Sequence, residues 1–307
     1  MANPYLQPMQ SWPDLAKHAR RVTLPDSLGL HIYDSGESDK PAAFLVHGLG
    51  DDADTWRYLF EPLAERFRVI APDLPGFARS DPAPGAYRIP FFKDFLLQLM
   101  DVLSLPQVTF IGHSMGAFIS QFIALENPDR VAQLFLLDGT VISRVQKINR
   151  QLLLFLTPVI GEWLYNRLRK DPQAAFETLR PYYFDLDGLP EAERRFLFER
   201  VNQRVWSDTQ RVAYFSMLRG LARFAAEQRR KLEGQLAQSN TTTLLVWGDQ
   251  DQINPLENAH ICLQVQPATR LVVIPQAGHN LHQERPELLI SAIQEFLAKE
   301  DNHGENP

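Results

Sequence analysis

A serine flanked by glycines offers the clearest chemistry in this sequence. Ser114 stands in Gly112-His113-Ser114-Met115-Gly116, with a glycine two positions away on either side that permits a tight turn. A short apolar run precedes the motif and a helical pattern follows it, so the serine lies on a sharp strand-to-helix turn. Free backbone N–H groups at that helix N-terminus favour a developing negative charge. This placement is what a nucleophilic serine requires.

A serine hydroxyl alone is a weak nucleophile, and the sequence supplies a base and an acid to activate it. Asp251 follows the apolar run 244–247, and His279 follows the run 271–274. Side chains beyond the carboxyl ends of parallel strands meet at one edge of a sheet. The order serine, aspartate, histidine, each beyond a predicted strand, therefore predicts a catalytic triad of Ser114, a histidine such as His279, and an acid among Asp138, Asp249 and Asp251.

The triad depends on a sheet that the apolar runs predict. Continuous apolar runs are typical of strands buried on both faces of a parallel sheet. They lie at residues 42–46, 69–70, 108–111, 134–137, 244–247 and 271–274. Helical patterns between them predict crossover connections, and the segments 21–24 and 28–33 predict an edge hairpin that turns at Asp26-Ser27. We therefore expect an α/β fold with a mostly parallel, doubly wound sheet.

Strand patterns disappear between residues 140 and 240, where helical spacing takes over, with helices expected near 194–206 and 209–228. So long a helical block predicts an inserted cap, leaving residues 1–139 and 241–307 as the core domain. The cap is rich in large aromatic rings, some of which we expect to line a pocket beneath it. These rings belong to Trp163, Phe176, Tyr182, Tyr183, Phe184, Trp206 and Phe215.

Composition narrows the range of partners. The 307 residues carry a formal net charge of −6 without a basic patch, so nucleic acid is not an expected partner. No apolar run reaches the roughly 18 residues of a membrane span, and no signal peptide is apparent. We therefore expect a cytoplasmic protein without a membrane partner. The single cysteine, Cys262, excludes an intrachain disulfide and a cysteine metal cluster, while a homo-oligomer remains open.

Taken together, these motifs resemble those of α/β-hydrolase-fold enzymes with a helical cap. The motifs are His47-Gly48, Asp73-Leu74-Pro75-Gly76-Phe77, the serine turn, Trp247-Gly248-Asp249-Gln250-Asp251 and Gly278-His279. The resemblance extends over nearly the whole chain outside the cap. It implies the branch of that superfamily with a serine nucleophile and esterase-like chemistry.

The resemblance also implies supporting roles. The oxyanion hole would consist of the backbone N–H groups of Leu49 and Met115. Gly48 and Gly50 let the first of these loops adopt its turn, and His47 would brace that loop. Removing one oxyanion donor typically raises the activation barrier by roughly 2.7–4 kcal/mol, so either amide would contribute strongly to the rate.

Two triad positions have rivals. His282 lies three residues beyond His279, although the position within the family motif favours His279. Some relatives place the acid after an earlier strand, which makes Asp138 an alternative to Asp251. Asp249 is interpreted as a turn residue.

The acidic loop Asp51, Asp52 and Asp54 invites interpretation as a metal site, but no histidine or suitably spaced acid completes one. We expect Asp54 or a neighbour to cap the helix that begins near residue 55. Asp73 is expected to be structural, holding the Pro-Gly loop. The sequence therefore predicts neither a metal nor a cofactor.

A serine nucleophile with an oxyanion hole indicates acyl transfer through a covalent acyl-enzyme, followed by hydrolysis. Relatives that open epoxides or remove halides carry aspartate where this chain has Ser114. Carbon–carbon bond hydrolases of aromatic ring-fission products commonly carry tryptophan after the histidine, where this chain has Asn280. We therefore predict a carboxylesterase for small to medium apolar esters, with the carbon–carbon hydrolase as the alternative. A further alternative is a small-molecule receptor of the same fold, with slow turnover.

Overall fold

A mixed sheet forms the centre of the molecule. The computed structural model describes residues 3–36, 39–85, 87–142, 144 and 150–304. The strands are β1 (Ala19–Thr23), β2 (Gly29–Asp34), β3 (Ala42–Val46), β4 (Arg68–Pro72), β5 (Val108–His113), β6 (Val131–Leu137), β7 (Thr243–Gly248) and β8 (Arg270–Ile274). Their order in the sheet is β1-β2-β4-β3-β5-β6-β7-β8. Strands β3 to β8 pair in parallel, which confirms the predicted fold class.

The two antiparallel pairings lie at one edge of the sheet. β1 and β2 form a hairpin in the register Ala19↔Tyr33, and β2 also pairs antiparallel with β4. Asp26 Oδ1 accepts a hydrogen bond from the Leu28 amide at 3.2 Å, which forms an Asx turn, and Ser27 has a φ of 69°. The predicted edge hairpin and its turn are therefore confirmed.

Helices cover both faces of the sheet and build the cap. In chain order they are α1 (Phe60–Ala64), α2 (Ile89–Val102), α3 (Met115–Glu126), α4 (Arg150–Leu156), α5 (Ile160–Arg167), α6 (Pro172–Glu177), α7 (Glu191–Trp206), α8 (Asp208–Gln238), α9 (Glu257–Val265), α10 (Leu281–Glu284) and α11 (Pro286–Gly304). None of those within the described ranges has the length and apolarity that crossing a bilayer demands.

The side chains of the buried strands point alternately to the two faces of the sheet and so form two hydrophobic cores, one on each face. Phe44 and Phe110 belong to the core packed under α2, α3 and α8, whereas their neighbours Leu45 and Ile111 belong to the core under α11. Because successive side chains of a strand point to opposite faces, a continuous apolar run supplies both cores. The core strands are thereby fixed in register, and with them the residues at their carboxyl ends.

The segment between residues 140 and 240 contains only helices and loops in its described part. It has a small core of its own, which includes Phe176, Leu197 and Val201. The helix predicted at 209–228 begins at Asp208 but continues to Gln238, ten residues further than expected. Its last turns bury Leu232 and Leu236 against the sheet domain, and this packing sustains the helix beyond its predicted end.

Candidate active site

Ser114 occupies a sharp turn between β5 and α3. Its φ of 53° and ψ of −113° are unusual for a residue other than glycine, so the surrounding structure must hold the turn. The β3 backbone approaches closely, since a Cβ atom on Gly116 would lie 2.0 Å from the Val46 carbonyl oxygen. A Cβ atom on Gly112 would lie 2.5 Å from the Gly116 carbonyl oxygen. Both glycines of the motif are therefore required by space.

The structure brings Ser114, His279 and Asp251 into one hydrogen-bonded row. The Ser114 Oγ atom lies 2.8 Å from His279 Nε2, and His279 Nδ1 lies 2.7 Å from Asp251 Oδ2. In the tautomer with a proton on Nδ1, the ring donates to Asp251 and accepts from the serine hydroxyl. The second oxygen of Asp251 accepts the amides of Ile253 and Asn254 at 2.8 and 2.9 Å. The carboxylate is thus held facing the histidine.

The rival acid, Asp138, lies at the end of β6 and is fully buried. Its Oδ1 atom accepts the Gly248 amide at 2.9 Å, and it does not bond to His279. Burial first, and then the charge of Asp251, raise the pKa of Asp138 well above its usual range. A neutral Asp138 can donate a hydrogen bond to Asp251, which gives its otherwise unpartnered Oδ2 atom a role. The geometry therefore favours Asp251 as the partner of His279.

The other histidines near the serine have structural partners instead. His282 Nε2 lies 2.7 Å from Thr55 Oγ1, and His113 Nε2 donates to the His279 carbonyl oxygen at 2.8 Å. Burial, ahead of the neighbouring charges, lowers the pKa of both rings well below the ordinary histidine value, so both are neutral. His47 Nε2 accepts the Leu74 amide at 3.0 Å and so joins two loops beside the serine.

The two amides assigned to the oxyanion hole are available for a ligand. Met115 is the first residue of α3, and Leu49 lies on the loop after β3. Neither N–H group donates to an acceptor in the described ranges of the chain. Gly48 lets this loop pack against the serine turn, since a Cβ atom there would lie 2.9 Å from His113 Nδ1. The arrangement offers two fixed donors beside Ser114.

The acidic loop binds arginines rather than a metal. Asp52 Oδ2 accepts from Arg204 at 2.8 Å, and Asp54 Oδ2 accepts from Arg200 at 2.6 Å. Asp51 pairs with the same Arg204. Burial disfavours the charged form of Asp52, yet Arg200 and Arg204 outweigh it and lower the pKa of this carboxyl. These pairs join the loop that carries Leu49 to cap helix α7.

The expected helix cap is made by a neighbour of Asp54. Asp52 caps the short 3-10 helix Ala53–Trp56, because its side chain accepts the Asp54 amide at 3.0 Å. Asp54 is used in the ion pairs instead. Asp73 has the structural role that we expected, since it accepts from Arg79 at 2.7 Å and from the Ala53 amide at 2.8 Å.

Replacing Arg200 with leucine should lower the free energy of unfolding by about 3–5 kcal/mol. The substitution takes from Asp52 and Asp54 one of the two arginines that each of them pairs with, and removing one partner from a buried ion pair is costly. Urea denaturation followed by circular dichroism measures the effect. The matched control is Arg195→Leu on the same helix, whose 81% exposed side chain pairs with Glu199. This exposed pair should contribute less than about 1 kcal/mol, and equal losses in both variants would contradict the buried ion-pair assignment.

Aromatic rings of the cap lie beside the histidine and the oxyanion loop. The Tyr182 ring centroid lies 5.8 Å from that of His279. Tyr214 lies beside the oxyanion loop, with ring carbons 3.0 Å from the position of a Cβ atom on Gly50. Tyr165 is 5.9 Å from Tyr214, centroid to centroid, and Phe155 packs behind it at 6.4 Å. The cap therefore places aromatic side chains against His279 and the oxyanion loop.

The sequence identified only part of this aromatic wall. Of the seven cap rings, some of which we expected to line a pocket, Tyr182 contacts the histidine and Phe215 supports Tyr214 at 5.4 Å. Trp163 and Phe184 are exposed on the outside of the cap instead. Tyr165 and Tyr214 were missed because their spacing is that of ordinary amphipathic helices.

A second feature that the sequence did not reveal is Glu284, which ties the histidine loop to the cap. One carboxylate oxygen accepts the Gly278 amide at 2.7 Å, and the other accepts the Phe184 and Asp185 amides at 2.8 and 3.1 Å. The Asn280 amide also donates to the Tyr182 carbonyl oxygen at 2.9 Å. These bonds position the loop on which His279 stands, and nothing in the local sequence signals them.

Metal-binding potential is small around the row. Among the described residues, one grouping of potential ligands occurs, in which atoms of His113, Asp138 and His279 lie within 4.8 Å of one another. Both ring nitrogens of His279 are used by Ser114 and Asp251, and His113 Nε2 is used by a carbonyl oxygen. At most two donors remain, which is fewer than a structural or catalytic metal site requires.

A parallel sheet with a serine turn, an acid and a histidine at the ends of β5, β7 and β8 defines the class of α/β hydrolases. The family model for the alpha/beta hydrolase fold matches residues 41–286, and the chain belongs to this family. The resemblance that the motifs indicated is therefore confirmed.

Similar proteins extend this comparison. An uncharacterized hydrolase of Bacillus subtilis is 26% identical over 91% of this chain and 97% of its own. Mouse epoxide hydrolase 4 is 24% identical over 94% of this chain and 81% of its own. The solved 2-hydroxy-6-oxo-6-phenylhexa-2,4-dienoate hydrolase from a Rhodococcus strain superposes with a TM-score of 0.72 at 22% identity, over 91% of this chain and 99% of its own. The hydrolase names among the relatives support an enzymatic role.

Proposed function

We propose that the protein is a carboxylic-ester hydrolase that forms an acyl-enzyme on Ser114. The distance of 2.8 Å between Ser114 Oγ and His279 Nε2 carries this proposal, because a serine becomes nucleophilic only when a base can take its proton. As Oγ attacks the ester carbonyl carbon, its proton passes to Nε2. The charge that develops on the carbonyl oxygen is stabilised by the Leu49 and Met115 amides.

Collapse of this intermediate releases the alcohol. His279 donates its Nε2 proton to the departing alkoxide, which leaves the acyl group bound to Ser114. A water molecule then gives a proton to His279 as it attacks the acyl carbon. His279 returns this proton to Ser114 Oγ as the bond between Oγ and the acyl carbon breaks and the acid leaves. Throughout both steps Asp251 holds the ring through Nδ1 and stabilises its charged form.

The nucleophile and the cap support esters over other substrates. Serine at position 114 supports acyl transfer, whereas relatives that open epoxides carry aspartate at this position. The aromatic wall formed by Tyr165, Tyr182 and Tyr214 suits small to medium apolar groups on the acyl or alcohol side. We propose no metal or cofactor for this reaction.

One observation favours the carbon–carbon bond hydrolase as a second candidate. The hydroxyl groups of Tyr165, Tyr182 and Tyr214 donate to no acceptor in the part of the chain that the structure describes. Burial raises the pKa of each hydroxyl, to about 12 for Tyr165, so all three are neutral donors at physiological pH. Such donors suit a substrate that carries further oxygen atoms, as a ring-fission dienoate does.

A panel of nitrophenyl esters with graded acyl chains, assayed beside a ring-fission dienoate, tests the proposal. We expect many turnovers on short to medium esters and a decline with the longest chains, because the aromatic wall limits the acyl group. A kcat/KM for the dienoate well above that of every ester would make the carbon–carbon hydrolase the better assignment. A burst of one product molecule per protein without further turnover would identify a receptor.

A further inference from the structure

The cap presents an exposed apolar surface on the hairpin formed by α4 and α5. We call residues 150–170 the cap hairpin. Five large apolar side chains of this hairpin are between 42 and 78% exposed, namely Leu153, Leu154, Val159, Ile160 and Trp163. Single exposed apolar residues are normal, but a contiguous apolar patch on a soluble protein marks an interaction site. The most exposed of the five, Val159, stands at the tip where α4 turns into α5.

Basic side chains follow the apolar ones on the hairpin. Arg167 and Lys170 are exposed, and neither has a carboxylate partner in the described ranges of the chain. The Arg167 guanidinium lies 5.1 Å from the centroid of the Trp163 ring. The one acidic residue on α5, Glu162, is already paired with Arg219 at 2.7 Å. The hairpin is thus locally cationic although the whole chain has a net charge of −6.

The opposite side of the same hairpin faces the aromatic wall of the active site. Phe155 on α4 packs against Phe215 with ring centroids 5.0 Å apart, and Tyr165 on α5 packs against Tyr214 at 5.9 Å. Tyr214 in turn lies beside Gly50 of the oxyanion loop. One element therefore carries an exposed apolar face outside and part of the substrate enclosure inside.

We propose that the cap hairpin docks the protein on an anionic lipid surface, with its apolar tip in the lipid and Arg167 and Lys170 at the headgroups. An apolar tip followed by basic residues and an interfacial tryptophan is the arrangement of interfacial membrane elements. The hairpin is too short to span a bilayer. It follows, if the proposed ester hydrolysis holds, that the substrates include esters dissolved in lipid, which would reach Ser114 from the docked side.

A second copy of the chain fits this surface less well. A stable dimer usually buries about 800 Å² on each partner, from 20 to 30 residues. The hairpin offers five apolar side chains, and a two-fold axis through it would bring the unpaired Arg167 and Lys170 of both copies together. Like charges at such a contact are unfavourable, whereas lipid phosphates neutralise them.

Co-sedimentation of the full chain with vesicles tests this proposal. Phosphatidylcholine vesicles are compared with vesicles that contain phosphatidylglycerol as well. We expect binding to the anionic vesicles and a blue shift of tryptophan fluorescence, which Trp163→Phe removes while binding persists. The double variant Arg167→Gln, Lys170→Gln should lose about fivefold in partitioning per charge, since each basic residue near the surface contributes about that factor.

The apolar tip is tested separately with Val159→Asp combined with Ile160→Asp. Aspartate suits an N-cap and the first turn of α5, so this variant should keep its melting temperature. Its partitioning should fall by at least about tenfold. The control is Leu288→Asp, which introduces one of the two added carboxylates at an exposed leucine on α11, away from the hairpin, and should bind like the wild type.

Several outcomes would overturn the docking proposal. They are an absence of vesicle binding by the wild type, equal binding by the tip variant, or a dimer without lipid that the tip variant dissociates in sedimentation velocity experiments. The turnover of a soluble short-chain ester, measured on the wild type without vesicles, reports the proposed function independently. Vesicle binding without ester turnover would leave the docking proposal standing and remove the ester assignment.

Discussion

Replacement of Ser114 with alanine is expected to lower the turnover of short nitrophenyl esters by at least about 10⁴-fold. The variant lacks the atom that would form the acyl-enzyme, and the oxyanion amides alone give only residual catalysis. Initial rates at saturating ester measure the loss in kcat. Covalent labelling by a fluorophosphonate, which reacts with activated serines, should disappear in the same variant.

The fold of this variant should remain intact, since among the described residues the Ser114 side chain bonds to His279 alone. Ser120→Ala is the matched control on the same helix, because the Ser120 hydroxyl donates to the Gly116 carbonyl oxygen at 2.7 Å and lies away from the row. It should keep turnover near that of the wild type. If Ser114→Ala kept wild-type turnover, another nucleophile would have to be sought.

The second large effect concerns the acid. Asp251→Asn should lower kcat by about 10⁴-fold, because an amide that donates to His279 Nδ1 stabilises the wrong tautomer of the ring. In that tautomer Nε2 carries the proton and cannot accept one from Ser114. The rate of ester hydrolysis and the rate of fluorophosphonate labelling should fall together.

Asp138→Asn is the matched comparison, and it should change kcat less than about tenfold. A neutral carboxyl at position 138 donates to Asp251 and accepts from the Gly248 amide, and asparagine can do both. Each substitution replaces one carboxylate oxygen with an amide nitrogen. Comparing the two variants therefore distinguishes the acid that contacts His279 from the acid behind it. If Asp138→Asn had the lower kcat of the two variants, Asp138 at the end of β6 would be the triad acid.

Much of the core and the row could be predicted because both follow from local patterns. Continuous apolar runs indicated the buried strands, and the rule that ligands bind beyond strand ends indicated where Ser114, Asp251 and His279 would meet. The glycines around the serine predicted that neighbouring backbone packs closely against the turn. The structure shows this at Gly116, where a Cβ atom would lie 2.0 Å from the Val46 carbonyl oxygen. Each of these signals lies within a few residues of the feature that it predicts.

The features that could not be predicted depend on how the cap is placed on the core. Arg200 and Arg204 have the spacing of a polar, solvated helix face, and no local signal distinguishes them from the exposed Arg195. Their burial follows from the docking of α7 through Leu197 and Val201 in the cap core. Tyr214 likewise lies beside the oxyanion loop because of how α8 packs on the core. The apolar spacing predicted that this helix ends at residue 228, whereas it continues to Gln238.

The ion pairs of helix α7 have a consequence for chimeric enzymes. A cap transplanted from a relative would remove Glu193, Arg200 and Arg204 in one step. The host would then retain Arg57 without its carboxylate, and Asp52 without the two arginines that it pairs with. A successful graft would have to carry its own version of the acidic loop, so cap and loop form one exchangeable module even though more than a hundred residues separate the loop from helix α7 in the sequence.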